Sequence, residues 1–275
     1  MVQGGDDVDA THYVIRGGLE GRERLRLLAR VMGPTTRALL DRVRLAPSSR
    51  CLDVGCGGGD VTTALARSAP DGFVVGTDMD ATKLDVARKE AAEAGLTNID
   101  YRVADVLDPP ADGDLYDLVH ARFLLTHLAD PSLALTQMCA SLAPGGTLVV
   151  VDIDCAGHFC YPDNLAFGRY VQLYTDVARA RGCDPDIGRR LPSLVRATGL
   201  TDIQMNVVQP AGFDGEVKMM APITLEAIAD AVIAEGLDTA DQLAHMVDEL
   251  YSFAADDESV MSMPRVMQVW ARKPA

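Results

Sequence analysis

Between Arg50 and Asp154 the chain alternates two kinds of hydrophobic pattern. Short, β-branched apolar runs (RCLDV, FVVGTD, IDYRVAD, DLYDLVHA, TLVVVDID) are separated by stretches with apolar positions at helical spacing (DVTTALARSA, ATKLDVARKEAAEAG, and about 131–142). Continuous apolar runs suit strands buried on both faces, and their alternation with helices is the signature of βαβ units around a parallel sheet. Five strands are therefore expected by residue 154, the helix before the fifth being stopped by Pro144-Gly145-Gly146.

Upstream, leucines and valines at helical spacing predict helices over 18–32 and 35–44, parted by Gly33-Pro34, after a polar start of about ten residues expected to be mobile. Downstream, residues 164–181 place Ala166, Tyr170, Leu173 and Val177 on one helical face, with Asn164 as N-cap and Gly182 as terminator. A helix over about 187–198 leads to the strand-like DIQMNVVQ. Helical patterns at 222–235 and 238–253 then precede a closing strand, RVMQVWARK. No repeat or low-complexity linker interrupts this order, which reads as one α/β domain with additions.

Composition narrows the function. The 275 residues carry a net charge of −15, so a phosphate backbone or an anionic membrane surface would be repelled overall. Arg22, Arg24, Arg26 and Arg30 alternate with leucines and read as a solvated helix face. The six cysteines include no CxxC pair and mostly sit in apolar runs, as expected of a reduced, cytoplasmic protein. Neither a leader sequence nor a membrane span is expected from the hydropathy.

The first strand runs into CLDVGCGGGD, Cys51 to Asp60. Glycines at a strand-to-helix turn let a ligand reach the main chain and adopt dihedrals other residues resist. The dinucleotide fingerprint GxGxxG fails in the register from Gly55, because Asp60 stands where its third glycine belongs and would face a pyrophosphate. A phosphate loop fails too, as no lysine occurs between Arg50 and Lys83.

What remains, Asp53 followed by Gly55, Gly57 and Gly59, resembles the first motif of the class I S-adenosylmethionine (SAM)-dependent methyltransferases of small-molecule type. VVGTD, VADVLD, YDLVHARFLLTHL and LAPGGTLVVVD resemble the later motifs in order, so the likeness is dense over about 50–154. It implies a Rossmann-like fold, a seven-stranded mostly parallel sheet with helices on both faces, the last strand antiparallel. Residues 1–45 would form a helical cap and 46–275 the methyltransferase domain, with a substrate lid at about 155–190 and a helical insertion at about 211–262, after strands five and six.

The resemblance also implies SAM contacts: main chain at Gly55, Cys56 and Gly57, a ribose-binding carboxylate at Asp78 beside Met79, and adenine at Asp105 and Val106. Carbonyls near His120 would take the ammonium group, and Tyr13, Arg16, Arg24 or Arg122 the carboxylate, with Tyr13 favoured. A carboxylate suits a sugar diol because it accepts two hydrogen bonds.

Methyl transfer needs alignment above all, with a base only where the acceptor must lose a proton. His127 is the expected base, with His120 and His158 as alternatives. Asp152 and Asp154 share a strand face but lack a third ligand, so no metal is expected. Cys155 and Cys160, unflanked by a basic cluster, are expected to be inert. The tetrapeptides DPPY and NPPY of amide- and base-methylating relatives are absent.

Aromatic residues between Phe159 and Tyr174, and methionines from Met205 onward, suit an adaptable apolar pocket. The expected partner is a small, mostly apolar acceptor methylated at oxygen or carbon, with no nucleic acid, no membrane, and a homodimer left open. A SAM-binding regulator and a nicotinamide-dependent oxidoreductase are the competing readings.

Overall fold

The computed structural model describes residues 18–108 and 113–275, with side chains from Glu23 onward. In chain order the core comprises α1 (Gly18–Val43), β1 (Arg50–Val54), α2 (Asp60–Ser68), β2 (Phe73–Asp78), α3 (Ala81–Glu93), β3 (Ile99–Val103), β4 (Tyr116–Arg122), α4 (Pro131–Ala140) and β5 (Leu142–Asp154). Then follow β6 (Cys160–Tyr161), α5 (Leu165–Ala180), α6 (Leu191–Ala197), β7 (Thr201–Val208), β8 (Ala211–Gly212), α7 (Met220–Ala234), α8 (Ala240–Ala255), β9 (Val260–Ser262) and β10 (Arg265–Arg272).

The expected sheet forms. Its seven strands lie in the order β3-β2-β1-β4-β5-β10-β7, with β10 antiparallel between β5 and β7 and the other pairs parallel. Alternate residues of a strand serve opposite faces. Cys51, Leu118, Val149 and Val151 pack under α1, α2, α5, α7 and α8, whereas Leu52, Val119, Leu148 and Val150 pack under α4 and α6. Chain order reverses at β1, between β2 and β4, which opens a crevice at the carboxyl ends of those strands.

One element departs from expectation. Gly33-Pro34 does not divide the N-terminal helix, and α1 runs unbroken through Pro34. An interior proline costs about 3 kcal/mol. Here Leu27, Leu28, Met32, Leu39 and Leu40 are all buried against the core, at roughly 1.5–3 kcal/mol each. The packed face outweighs the breaker, and the Thr35 hydroxyl donates to the Met32 carbonyl at 2.9 Å.

The additions are built from local signals that the sequence carries. Asn164 caps α5, its Oδ1 accepting from the Phe167 N–H at 2.8 Å. Between β7 and β10 the chain forms β8, α7, α8 and β9, and β8 and β9 join β6, from ahead of α5, in a three-stranded sheet ordered β6-β9-β8. Lys218, 2% exposed, fastens this part by donating to the Phe213 and Asp256 carbonyls. Among the described residues no helix is long and apolar enough to cross a membrane.

Candidate methyl-transfer site

The glycine turn is braced from two sides. Below it, Asp53 of β1 is 2% exposed; its Oδ1 accepts from His120 Nδ1 at 2.8 Å and its Oδ2 from Thr62 Oγ1 at 2.7 Å. The carboxylate thus ties β1, β4 and α2 together beneath the turn. Beside it, Asp78 at the end of β2 accepts from the Gly57 N–H at 2.9 Å and from the Asp80 N–H at 3.0 Å.

Two glycines are required for different reasons. Gly57 has φ +54°, and a Cβ there would meet no atom within 4 Å, so its main chain lies open to a ligand. Gly59 has φ +77°, and its Cβ would stand 2.4 Å from Tyr101 Oη, whose ring fills the space beneath the turn. Gly59→Ala is therefore expected to cost roughly 2–4 kcal/mol through backbone strain and overpacking combined. Urea unfolding checks this, and a loss well below 1 kcal/mol would mean that the turn relaxes.

From this turn a cavity of about 110 Å3 runs toward the additions. It is lined by Gly55 to Gly58 and Asp78, by Tyr170 and Tyr174 of α5, by Met220 and Thr224 of α7, and by Met263 and Pro264 ahead of β10. Arg24, Leu25 and Leu28 of α1 line it too. His127 and His158 line it as well.

Electrostatics sets the protonation of this lining. Burial pushes both histidines down to about 4, aided at His127 by the charges of Arg24 and Lys83, so both imidazoles are neutral at pH 7. Burial likewise pushes the Tyr170 and Tyr174 phenols up, which keeps their protons in place as donors. The Cys56 thiol, on the cavity wall, is also raised by burial, then by Asp53 and Asp78.

His127 ends a short 3-10 turn, Leu125–His127, anchored by Asp152, whose Oδ2 accepts from the Thr126 N–H at 3.1 Å. Asp152 is buried at 1% exposure, and that burial pushes its carboxyl up to about 7. It holds the turn rather than facing the cavity.

Of the residues expected to meet SAM, the structure brings Arg24, Gly55, Cys56, Gly57, Asp78 and Arg122 to one cavity, which the expected base His127 also lines. The side chain of His120 is 1% exposed and spent on Asp53, which leaves for a ligand its main chain, the part expected to meet the ammonium group. The guanidinium of Arg122 is engaged by both Asp60 oxygens at 2.9 and 2.8 Å and by Thr36 at 3.2 Å.

Met79, Asp105 and Val106 lie outside the lining of this cavity; Asp105 closes its own turn by accepting from the Leu107 N–H at 2.9 Å. Tyr13 and Arg16 lie outside the described residues. Sequence reading missed Thr224, Ser262 and Pro264 on the wall, since they are polar or turn residues brought in by the fold from the far end of the chain.

These residues fit a SAM-type donor. The glycine main chain is open and an acid stands where a sugar diol can be held. The N-terminus of α2, an anion site in phosphate-binding proteins, is filled by Asp60 and its ion pair with Arg122. A family model described as "Methyltransferase domain" matches residues 45–176, which span the sheet from β1 through α5. Residues 45–176 thus match a methyltransferase domain.

An uncharacterized methyltransferase of Schizosaccharomyces pombe is 29% identical over 150 residues, 52% of this chain and 54% of that protein. A ubiquinone biosynthesis O-methyltransferase of Cereibacter sphaeroides is 42% identical over 100 residues, 36% of this chain and 39% of its own length. The chain thus spans about half or less of the length of the curated relatives it matches. The structure of a Bacillus halodurans C-125 protein superposes with a TM-score of 0.59 at 20% identity, covering 87% of this chain and 99% of that one.

Proposed function

We propose that this chain transfers a methyl group from SAM to a small, mostly apolar organic acceptor, at oxygen or carbon. The observation that carries the reading is the single cavity linking the open glycine main chain and Asp78 to a wall of Tyr170, Tyr174, Met220 and Met263. Likeness to a ubiquinone biosynthesis O-methyltransferase supports a phenol- or quinone-like acceptor.

In this reading Asp78 accepts hydrogen bonds from the ribose hydroxyls, while main-chain groups at Gly55 to Gly57 and near His120 hold the methionyl end. Arg24, on the cavity wall with its Nε donating to Thr224 at 3.2 Å, is the guanidinium proposed for the carboxylate, because Arg122 is committed to Asp60. The bound donor supplies a methyl carbon activated by a sulfonium. Closure of the cavity by α1, α5 and α7 excludes water, and the apolar wall orients the acceptor within the 3–3.5 Å that in-line transfer requires. A neutral imidazole on the wall takes the proton of a hydroxyl acceptor.

Calorimetry with S-adenosylhomocysteine and NADH tests the cofactor: the first is expected to bind in the micromolar range and the second not at all. Incubation with methyl-labelled SAM and cell extract, read by mass spectrometry, tests the transfer. Label that never leaves the donor would favour a SAM-binding regulator.

His127→Ala is expected to leave S-adenosylhomocysteine affinity within about threefold, because no hydrogen bond to the nucleoside is assigned to it. Turnover should fall, whether through a lost proton acceptor or a lost wall. Unchanged turnover would remove His127 from the site.

A further inference from the structure

The cavity holds two neutral imidazoles, and their surroundings are not equivalent. His158 follows the short turn Cys155–Gly157 at the end of β5. Its Nδ1 lies 2.8 Å from the Cys155 carbonyl oxygen. A carbonyl can only accept, so Nδ1 carries the hydrogen, and the neutral ring keeps its lone pair on Nε2. Among the described residues nothing bonds to Nε2, while the ring itself lines the cavity. Phe167 and Tyr170 stand edge-on to the ring, each with its centroid 5.9 Å away, and fix its plane.

We propose that His158 is the general base of the reaction and that its acceptor is a hydroxyl compound, phenol or enol, whose proton goes to Nε2 while the Cys155 carbonyl holds Nδ1–H. The inference rests on the methyltransferase reading above and narrows it to oxygen. A base must also tolerate the charge it gains. At His158 the Cys155 carbonyl and the Asp154 carboxylate both favour the protonated ring, whereas at His127 the neighbouring charges, Arg24 and Lys83, both oppose it. The thiol of Cys155, 3.7 Å from Nδ1, does not compete for the proton, since burial pushes it up to about 12.

The step balances. As the acceptor O–H bond breaks and its proton settles on Nε2, the oxygen bonds to the methyl carbon whose bond to sulfur breaks. One positive charge passes from sulfonium to imidazolium, and the ring releases the proton to water after the product leaves. An amine acceptor, which brings a free lone pair, would need none of this.

Three measurements on the full chain test the assignment. Long-range nitrogen–proton NMR at pH 7, with His158 assigned by comparison to His158→Gln, is expected to show the Nδ1–H tautomer; an Nε2–H tautomer or an imidazolium would overturn the proposal without any acceptor being needed. Methylation of catechol by His158→Gln and His158→Asn is expected to fall about 100-fold or more, the usual worth of a positioned base. Methylation of a nitrocatechol, whose hydroxyl is already largely ionised at neutral pH, should fall less than about tenfold.

Asparagine keeps a donor near the Cys155 carbonyl, so it separates a lost base from a collapsed wall. Equal losses on both catechols would overturn the proposal. Affinity for S-adenosylhomocysteine should stay within about threefold of wild type, and its collapse in both variants would mark His158 as part of the structure instead. Wild-type protein that labels no hydroxyl compound in extract would sink the methyltransferase reading itself, a different result from a wrong tautomer.

Discussion

Replacing Asp53 with alanine is expected to remove about 3–5 kcal/mol of folding stability, the usual cost of breaking a buried charged hydrogen-bond network from one side. The carboxylate serves two partners that have no water to turn to: Thr62 is 0% exposed and His120 1%. With domains of ordinary stability holding only about 5–15 kcal/mol, the loss would shift the urea midpoint by about a fifth or more. Asp53→Asn, which keeps one acceptor oxygen for His120, should lose distinctly less. An alanine variant within about 1 kcal/mol of wild type would show that β1, β4 and α2 hold together without this tie.

Asp78→Ala is expected to weaken S-adenosylhomocysteine binding by about 1–3 kcal/mol, roughly five- to 150-fold, through lost charge-assisted hydrogen bonds. Part of any loss comes from the turn itself, because Asp78 also accepts the Gly57 N–H. An analogue lacking the ribose hydroxyls separates the two contributions. Wild type should bind it more weakly than the parent compound, whereas the variant should bind the two alike. A variant that still prefers the hydroxylated compound by the wild-type margin would exclude Asp78 as the ribose partner.

Much of this architecture was legible in the sequence because its causes are local. Apolar runs of strand length between helical patterns specify a parallel sheet, and Asp60 in place of a glycine argues by itself against a pyrophosphate. Pro34 was misread for the opposite reason. Its local preference is to break a helix, and the face that overrides it packs against residues as distant as α7.

The cavity was legible only in part. Glycines and acids at strand ends announce themselves by spacing. The commitment of Arg122 to Asp60, 62 positions away, does not. Nor does spacing tell His127 from His158, which differ in the sign of the charges nearby.

Asp154 closes β5 and receives two guanidinium groups, Arg189 from beyond α5 and Arg265 from the first residue of β10. The two roots of the acceptor-facing wall are therefore knotted at one buried anion. Displacing either root gives up one of the two guanidinium partners of a carboxyl group that is 2% exposed, so the two ends of the wall keep their spacing through one shared residue.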